Sequence, residues 1–231
     1  MCVIKFALAK TSVEPSRPDF VNCSRLMSAF EIAHQPSGWL QFSLSTAGLG
    51  LWLQQINQQG LVFQSANLAS RDSSQAYLNL PPELTWRIHH MYSRCCTLLR
   101  LAAAHQIVDF CVAESPCPSE LPRTAEATVA RYRLVIHSFG DLAQKNPSAQ
   151  RLIHTLIDTT DKWAQEIHPP ALRQVKLAIA VADAFDWFYR ATSLWGLTLE
   201  QQRQWCSLVR AVQVILQGLV LPSLGPLTDR L

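Results

Sequence analysis

The amino-acid sequence predicts a mainly α-helical protein, with a C-terminal helical bundle preceded by a small α/β unit. Three observations carry that reading. Apolar residues recur at helical spacing through most of the chain after Pro82, the segment 38–45 (GWLQFSLS) alternates with period two, and a stretch rich in Gln, Asn, Ser and Gly, ending at Pro81-Pro82, separates the two patterns. Composition agrees with a packed protein. Of 231 residues 48% are hydrophobic and only 16% charged, against roughly 25% in an average soluble domain, which excludes disorder of the chain as a whole. The length fits one large domain or two small ones.

Taken in order, Val3 to Leu8 is apolar and partly β-branched, and Gly38 to Ser45 sets Trp39, Gln41 and Ser43 against Leu40, Phe42 and Leu44, as in a half-buried strand. Thr46 is placed to cap a helix whose apolar residues Leu49, Leu53 and Ile56 share a face, with Gly60 as its stop. Residues 1–60 form the small unit and 61–82 the linker. The bundle, 83–231, opens with Leu84 to Phe110, apolar at 84, 88, 91, 95, 98, 99 and 102. Three prolines between Ser115 and Pro122 break it. Four further helices are expected at Ala125 to Gly140, Ser148 to Ile167, Pro170 to Trp195 and Leu199 to Leu219, divided by Gly140 and Pro147, by His168-Pro169-Pro170 and by Gly196. Five helices with short connections describe a bundle.

The net charge of +3 is too small to argue for nucleic acid by itself, and residues 81–231 carry 15 Lys and Arg against 13 Asp and Glu. Arginine outnumbers lysine 15 to 5, and guanidinium groups pair with phosphate and stack on bases as ammonium groups do not. Seven tryptophans on a chain this poor in charge suggest a core filled with indole and some apolar surface covered by a partner. Seven cysteines, at 2, 23, 95, 96, 111, 117 and 206, are an odd number without repeated CxxC spacing, so reduced thiols are expected rather than disulfides or a zinc ribbon. No leader-like or membrane-spanning apolar run occurs, and a soluble, cytoplasmic protein that does not bind membranes is expected.

Catalytic signatures are missing. No phosphate-cradling GxxxxGK[ST], dinucleotide-binding GxGxxG, metalloprotease HExxH or nucleophile-elbow GxSxG is present, so no enzyme and no cofactor is expected. His89, His90 and His105 do not promise a metal site, because neighbours on a helix point about 100° apart. Cys95 sits in the apolar register of its helix, which favours packing over redox or nucleophilic work for the Cys95-Cys96 pair. Asp183 and Asp186 lie one turn apart, the spacing of an acid/base couple, but also that of two carboxylates on a wet helix face.

Ile88 to Arg100, IHHMYSRCCTLLR, resembles the opening helix of the DALR-type anticodon-binding domain of arginyl-tRNA synthetases, where a pattern like VQYAHARICSILR is typical; Arg94, Cys96, Leu99 and Arg100 coincide. Ala171 to Tyr189 is similar to that family's stretch ending LAxAFNxFY, with Ala182, Ala184, Phe185, Phe188 and Tyr189 in place, and Gln213 to Leu219, QVILQGL, to a family-like QVLKNGL. The three segments keep the family's order and approximate spacing over residues 84–231. Phe30 to Ile56 resembles the end of the synthetase N-terminal domain, VEIAGPGFINFRLS followed by a helix. Only about 25 residues join the two parts, and neither the His-Ile-Gly-His-like nor the Lys-Met-Ser-Lys-like signature of the catalytic domain occurs.

The resemblance thus implies a stand-alone paralogue of DALR type lacking the catalytic domain, and a non-catalytic tRNA-binding protein, an adaptor for arginine tRNA. Anticodon bases would stack on Tyr92 and Tyr189, with Arg87 and Arg94 holding phosphates. His90 and the apolar chain end at Leu231 would complete the RNA-binding set. Tyr92 and His90 stand where the family has histidine and tyrosine, Asp186 replaces an asparagine, and Leu231 a terminal methionine. The alternative is a protein-interaction scaffold or assembly factor that has kept the fold without the RNA.

Overall fold

A computed structural model of the chain describes residues 2–4, 29–34, 40–59, 81–108, 142, 145–165 and 170–224. Three strands, β1 (Cys2–Ile4), β2 (Phe30–His34) and β3 (Leu40–Leu44), form an antiparallel sheet in the order β1-β3-β2. Leu44 pairs with Cys2 on one side and Phe30 on the other. Five helices follow among the described residues: α1 (Thr46–Gln59), α2 (Pro82–Ala104), α3 (Pro147–Ala164), α4 (Ala171–Ala191) and α5 (Leu199–Leu224). The described chain is therefore mainly helical, and among the described residues no helix is long and apolar enough to cross a membrane.

Local chemistry sets the helix ends. The cap of α1 is Ser45 rather than Thr46: its Oγ accepts the Gly48 N–H at 3.1 Å and donates to the Ala29 carbonyl at 3.0 Å. That same carbonyl would collide with a Cβ on residue 48, so Gly48 permits α1 to start against the turn before β2. Proline occupies the first position of α2 and of α3, where its missing N–H costs nothing. Asn146 caps α3 by accepting from Ser148 and Ala149, and Thr198 and Gln201 cap α5 reciprocally, the Thr198 N–H bonding Oε1 at 3.1 Å. At the end of α2, Gln106 takes φ 57° and the Ile107 N–H reaches back to the Ala102 carbonyl at 2.9 Å, closing the helix without a glycine.

Expected boundaries move: α2 ends at Ala104 rather than Phe110, and α3 at Ala164 rather than Ile167. The helix expected over 170–195 stops at Ala191, because Thr192 is extended and buried, with Oγ1 accepting from Asn146 Nδ2 at 2.8 Å; a short 3₁₀ turn, Leu194–Gly196, then leads to α5. Helix α5 runs past Gly218 to Leu224, since Leu219 and Val220 are wholly buried and packing outweighs the weak propensity of one glycine. The helix expected at 125–140 and the linker at 61–80 fall outside the described residues.

Helix α5 is central: α1, α2, α3 and α4 all pack on it. Trp205, Leu208, Ile215 and Leu219 are buried with Phe185 and Phe188 of α4, Leu152 and Leu156 of α3, Ile88 and Leu99 of α2, and Leu53 of α1. Asn57 of α1 adds a polar tie, donating through Nδ2 to Ser207 Oγ at 2.8 Å.

Candidate functional site

The apolar stripe of α2, including Ile88, Met91, Cys95, Leu99 and Ala102, turns to the core. Its other side is left to Trp86, Arg87, His90 and Arg94: Trp86 and Arg87 lie four and three residues before His90 and Arg94 four after it, so they share one side of the helix. Opposite lies the C-terminal half of α4. Between them opens a groove of about 750 Å³, lined from α2 by Trp86, Arg87, His90 and Arg94 and from α4 by Asp186 and Arg190, with Met91 at its apolar floor.

Three contacts shape the groove. Trp86 is 59% exposed and stacks on His90, the next residue on its face, with ring centroids 4.8 Å apart and planes 20° from parallel. The Arg94 guanidinium lies 4.1 Å over the centre of the Tyr189 ring, a cation–π contact between α2 and α4. Arg87 reaches the other way to Asp183, 2.6 Å from Oδ1, with both side chains about half exposed. On α4 itself Arg190 grips Asp186 with two bonds, at 3.1 and 2.9 Å.

Of the six residues singled out from sequence, Arg87, His90 and Arg94 line this groove and Tyr189 supports it from beneath Arg94. Tyr92 does not belong to it. The ring is only 4% exposed, turned onto α5, and offers no face to a base. Its hydroxyl bonds to Cys96 and Gln213. Burial above all, then Cys96, pushes the phenol well above its ordinary range, against the opposing pull of Arg210 and the Gln213 bond. Gln213 in turn donates to Cys96 Sγ at 3.0 Å and accepts from the buried Arg210 at 2.6 Å. The physical reason is register: Tyr92 follows Ile88 by four residues and shares its inward face, whereas Arg94 and His90 flank that stripe. Leu231 lies outside the described residues.

Trp86 and Arg190 were missed by sequence reasoning. A signal existed for the first, because position 86 falls outside the apolar register 84, 88, 91 of its own helix, and a tryptophan out of register is a tryptophan on the surface. Nothing in the sequence brings Arg190 to α2.

The remaining candidate chemistry is dispersed or sealed. His90 faces the groove while His105, at the far end of α2, meets the Trp195 ring edge-on, and among the described residues no three His, Cys, Asp or Glu side chains are grouped to hold a metal ion. His89 is half-buried, and desolvation lowers its pKa. Burial drives the Cys95 thiol well above its usual range and Cys206 up to about 12, so neither thiol is poised as a nucleophile. Asp183 and Asp186 do not face each other as a couple; each is held by its own arginine. The groove lining thus offers an open indole, three guanidinium groups and the carboxylates of Glu83 and Asp186, while Asp183 holds Arg87. Such a surface stacks on flat rings and pairs with anions. No protein-family model, curated protein or solved structure matches the chain.

Proposed function

We propose that the chain is a non-catalytic, DALR-type RNA-binding protein that takes unpaired bases of a tRNA anticodon loop, arginine tRNA first, in the groove between α2 and α4. The observation that carries this reading is the Arg94–Tyr189 contact. Arg94 belongs to one segment with synthetase-like sequence and Tyr189 to another, and the two meet at 4.1 Å beside an exposed indole. Of the other coinciding residues, Cys96, Leu99, Ala182, Ala184, Phe185 and Phe188 are buried and Arg100 is half-buried, so the likeness lies mostly in positions that pack a bundle. Trp86 supplies the stacking ring that Tyr92 cannot. Arg94 and Arg87 supply positive charge to the phosphates. The small α/β unit is then what remains of a synthetase-like N-terminal domain.

The test is a titration of labelled arginine-tRNA transcript, with an unrelated tRNA and a duplex RNA as competitors. The expected outcome is binding that Arg94→Ala weakens, with a flatter salt dependence because one phosphate contact fewer releases counterions. Absence of binding to any RNA at low salt, by a chain that melts cooperatively, would refute the proposal.

A protein-interaction scaffold is the second reading, and a different surface favours it. Trp195 and Leu199 are 57% and 52% exposed where α5 begins, beside His105 at the end of α2. Apolar groups this large are what a partner covers. Co-purification of a nuclease-resistant protein partner, lost on Trp195→Ser, would favour this reading over RNA.

A further inference from the structure

Two of the three arginines that line the groove are already engaged by carboxylates. Arg87 sits 2.6 Å from Asp183, and Arg190 is held in a two-pronged pair with Asp186, whose side chain is only 16% exposed. Arg94 is different, since its guanidinium rests on an aromatic face that holds no formal charge. Among the described residues, a phosphate arriving at the groove therefore meets one cation without a carboxylate paired to it, at the Tyr189 ring, and two cations that must first leave an acid. Exchanging a carboxylate for a phosphate is feasible at the half-exposed Arg87–Asp183 pair, which is worth only about 0.2–1 kcal/mol, or up to about fivefold in affinity, and is harder at the two-pronged Arg190–Asp186 pair.

We infer that Asp183 and Asp186 are built-in competitors for phosphate, which hold Arg87 and Arg190 against α4 and so weight recognition at this groove toward stacking on Trp86 rather than toward backbone charge. The inference rests on the RNA-binding reading. Its consequence is selectivity. A ligand with an unstacked base to offer gains the Trp86 contact, whereas a regular duplex offers only phosphates, for which the carboxylates compete.

Binding of a fluorescein-labelled single-stranded oligoribonucleotide would be measured at several salt concentrations for the intact chain and for D183N, D186N and D158N. Asp158 pairs with Lys162 within α3, 2.6 Å apart and outside the groove lining, so its replacement removes the same charge without freeing a groove arginine. D183N and D186N are both expected to bind tighter than the intact chain, D183N by up to about fivefold. The slope of log K against log salt should steepen by about 0.7 for each phosphate gained. D158N should change neither quantity beyond a general charge effect, and Arg87→Ala added to D183N should abolish the gain. If the intact chain binds and the groove variants gain no more than D158N, the competitor role is overturned while RNA binding stands. If neither the intact chain nor any variant binds, the RNA reading falls and this inference with it. Melting curves for each variant ensure that a lost gain is not a lost fold.

Discussion

Helix α2 shows two faces, and the contrast between them governs what each residue does. Toward α5 it sends Tyr92 and Cys96 into a closed polar network with Gln213 and Arg210, buried and hydrogen-bonded. Toward α4 it sends Arg87, His90 and Arg94, with Trp86 beyond them, into an open groove where guanidinium and indole remain within reach of solvent. Tyr92 and Arg94 are two residues apart, yet one is a structural part and the other a candidate contact. Polar or aromatic chemistry becomes a site only where the helix turns it away from packing.

The contrast can be broken most strongly from beneath. Phe185 is fully buried on α4 and lies 6.3 Å, centre to centre, from the Tyr189 ring that supports Arg94. Phe185→Ala should lower stability by about 3–5 kcal/mol through loss of burial and an unfilled cavity. Chemical denaturation measures this, and a loss under about 1 kcal/mol would show that the α4 contact is loosely packed.

The next two variants exchange roles across α2. Trp86→Ala should weaken RNA binding by about 1–3 kcal/mol if a base stacks there. It should move stability by less than about 0.5 kcal/mol, because the indole is exposed. Tyr92→Phe should do the reverse. Removing the hydroxyl that meets Cys96 and Gln213 costs about 1 kcal/mol of stability and leaves RNA affinity unchanged. Equal effects of the two variants on affinity would erase the distinction between the faces.

The smallest effect concerns His89, which lies between the two faces. Desolvation lowers its pKa below the unfolded 6.5, so the unfolded chain binds more protons as pH falls through 6.5. Stability should therefore decline modestly below pH 6.5 until the lowered folded pKa is passed. His89→Gln should flatten that part of the profile of melting temperature against pH.

Much of this was legible in the sequence because local chemistry repeats at fixed spacings. The stripe Ile88, Met91, Cys95, Leu99 and Ala102 reads as one buried face and is one. Leu49, Leu53 and Ile56 likewise point to the core. Pro82 and Pro147 fall at helix starts where the sequence breaks its pattern, whereas the caps Asn146 and Thr198 show only in the structure. Strand β2 escaped notice, since FEIAH is too short and mixed to declare its period, and pairing with β3 is what makes it a strand.

The amino-acid sequence by itself determined the mainly helical character, the inward faces of α1 and α2 and the absence of catalytic signatures, since these depend on periodicity and residue type alone. The tertiary structure decided which polar residues share a site. Asp183 is 96 positions from Arg87, and Tyr189 is 95 from Arg94, separations at which no local rule operates. Only the packing of α2 and α4 on the common helix α5 fixes those pairs. That packing also sealed Tyr92 and left Trp86 open, because a side chain's availability depends on what the rest of the chain lays against it.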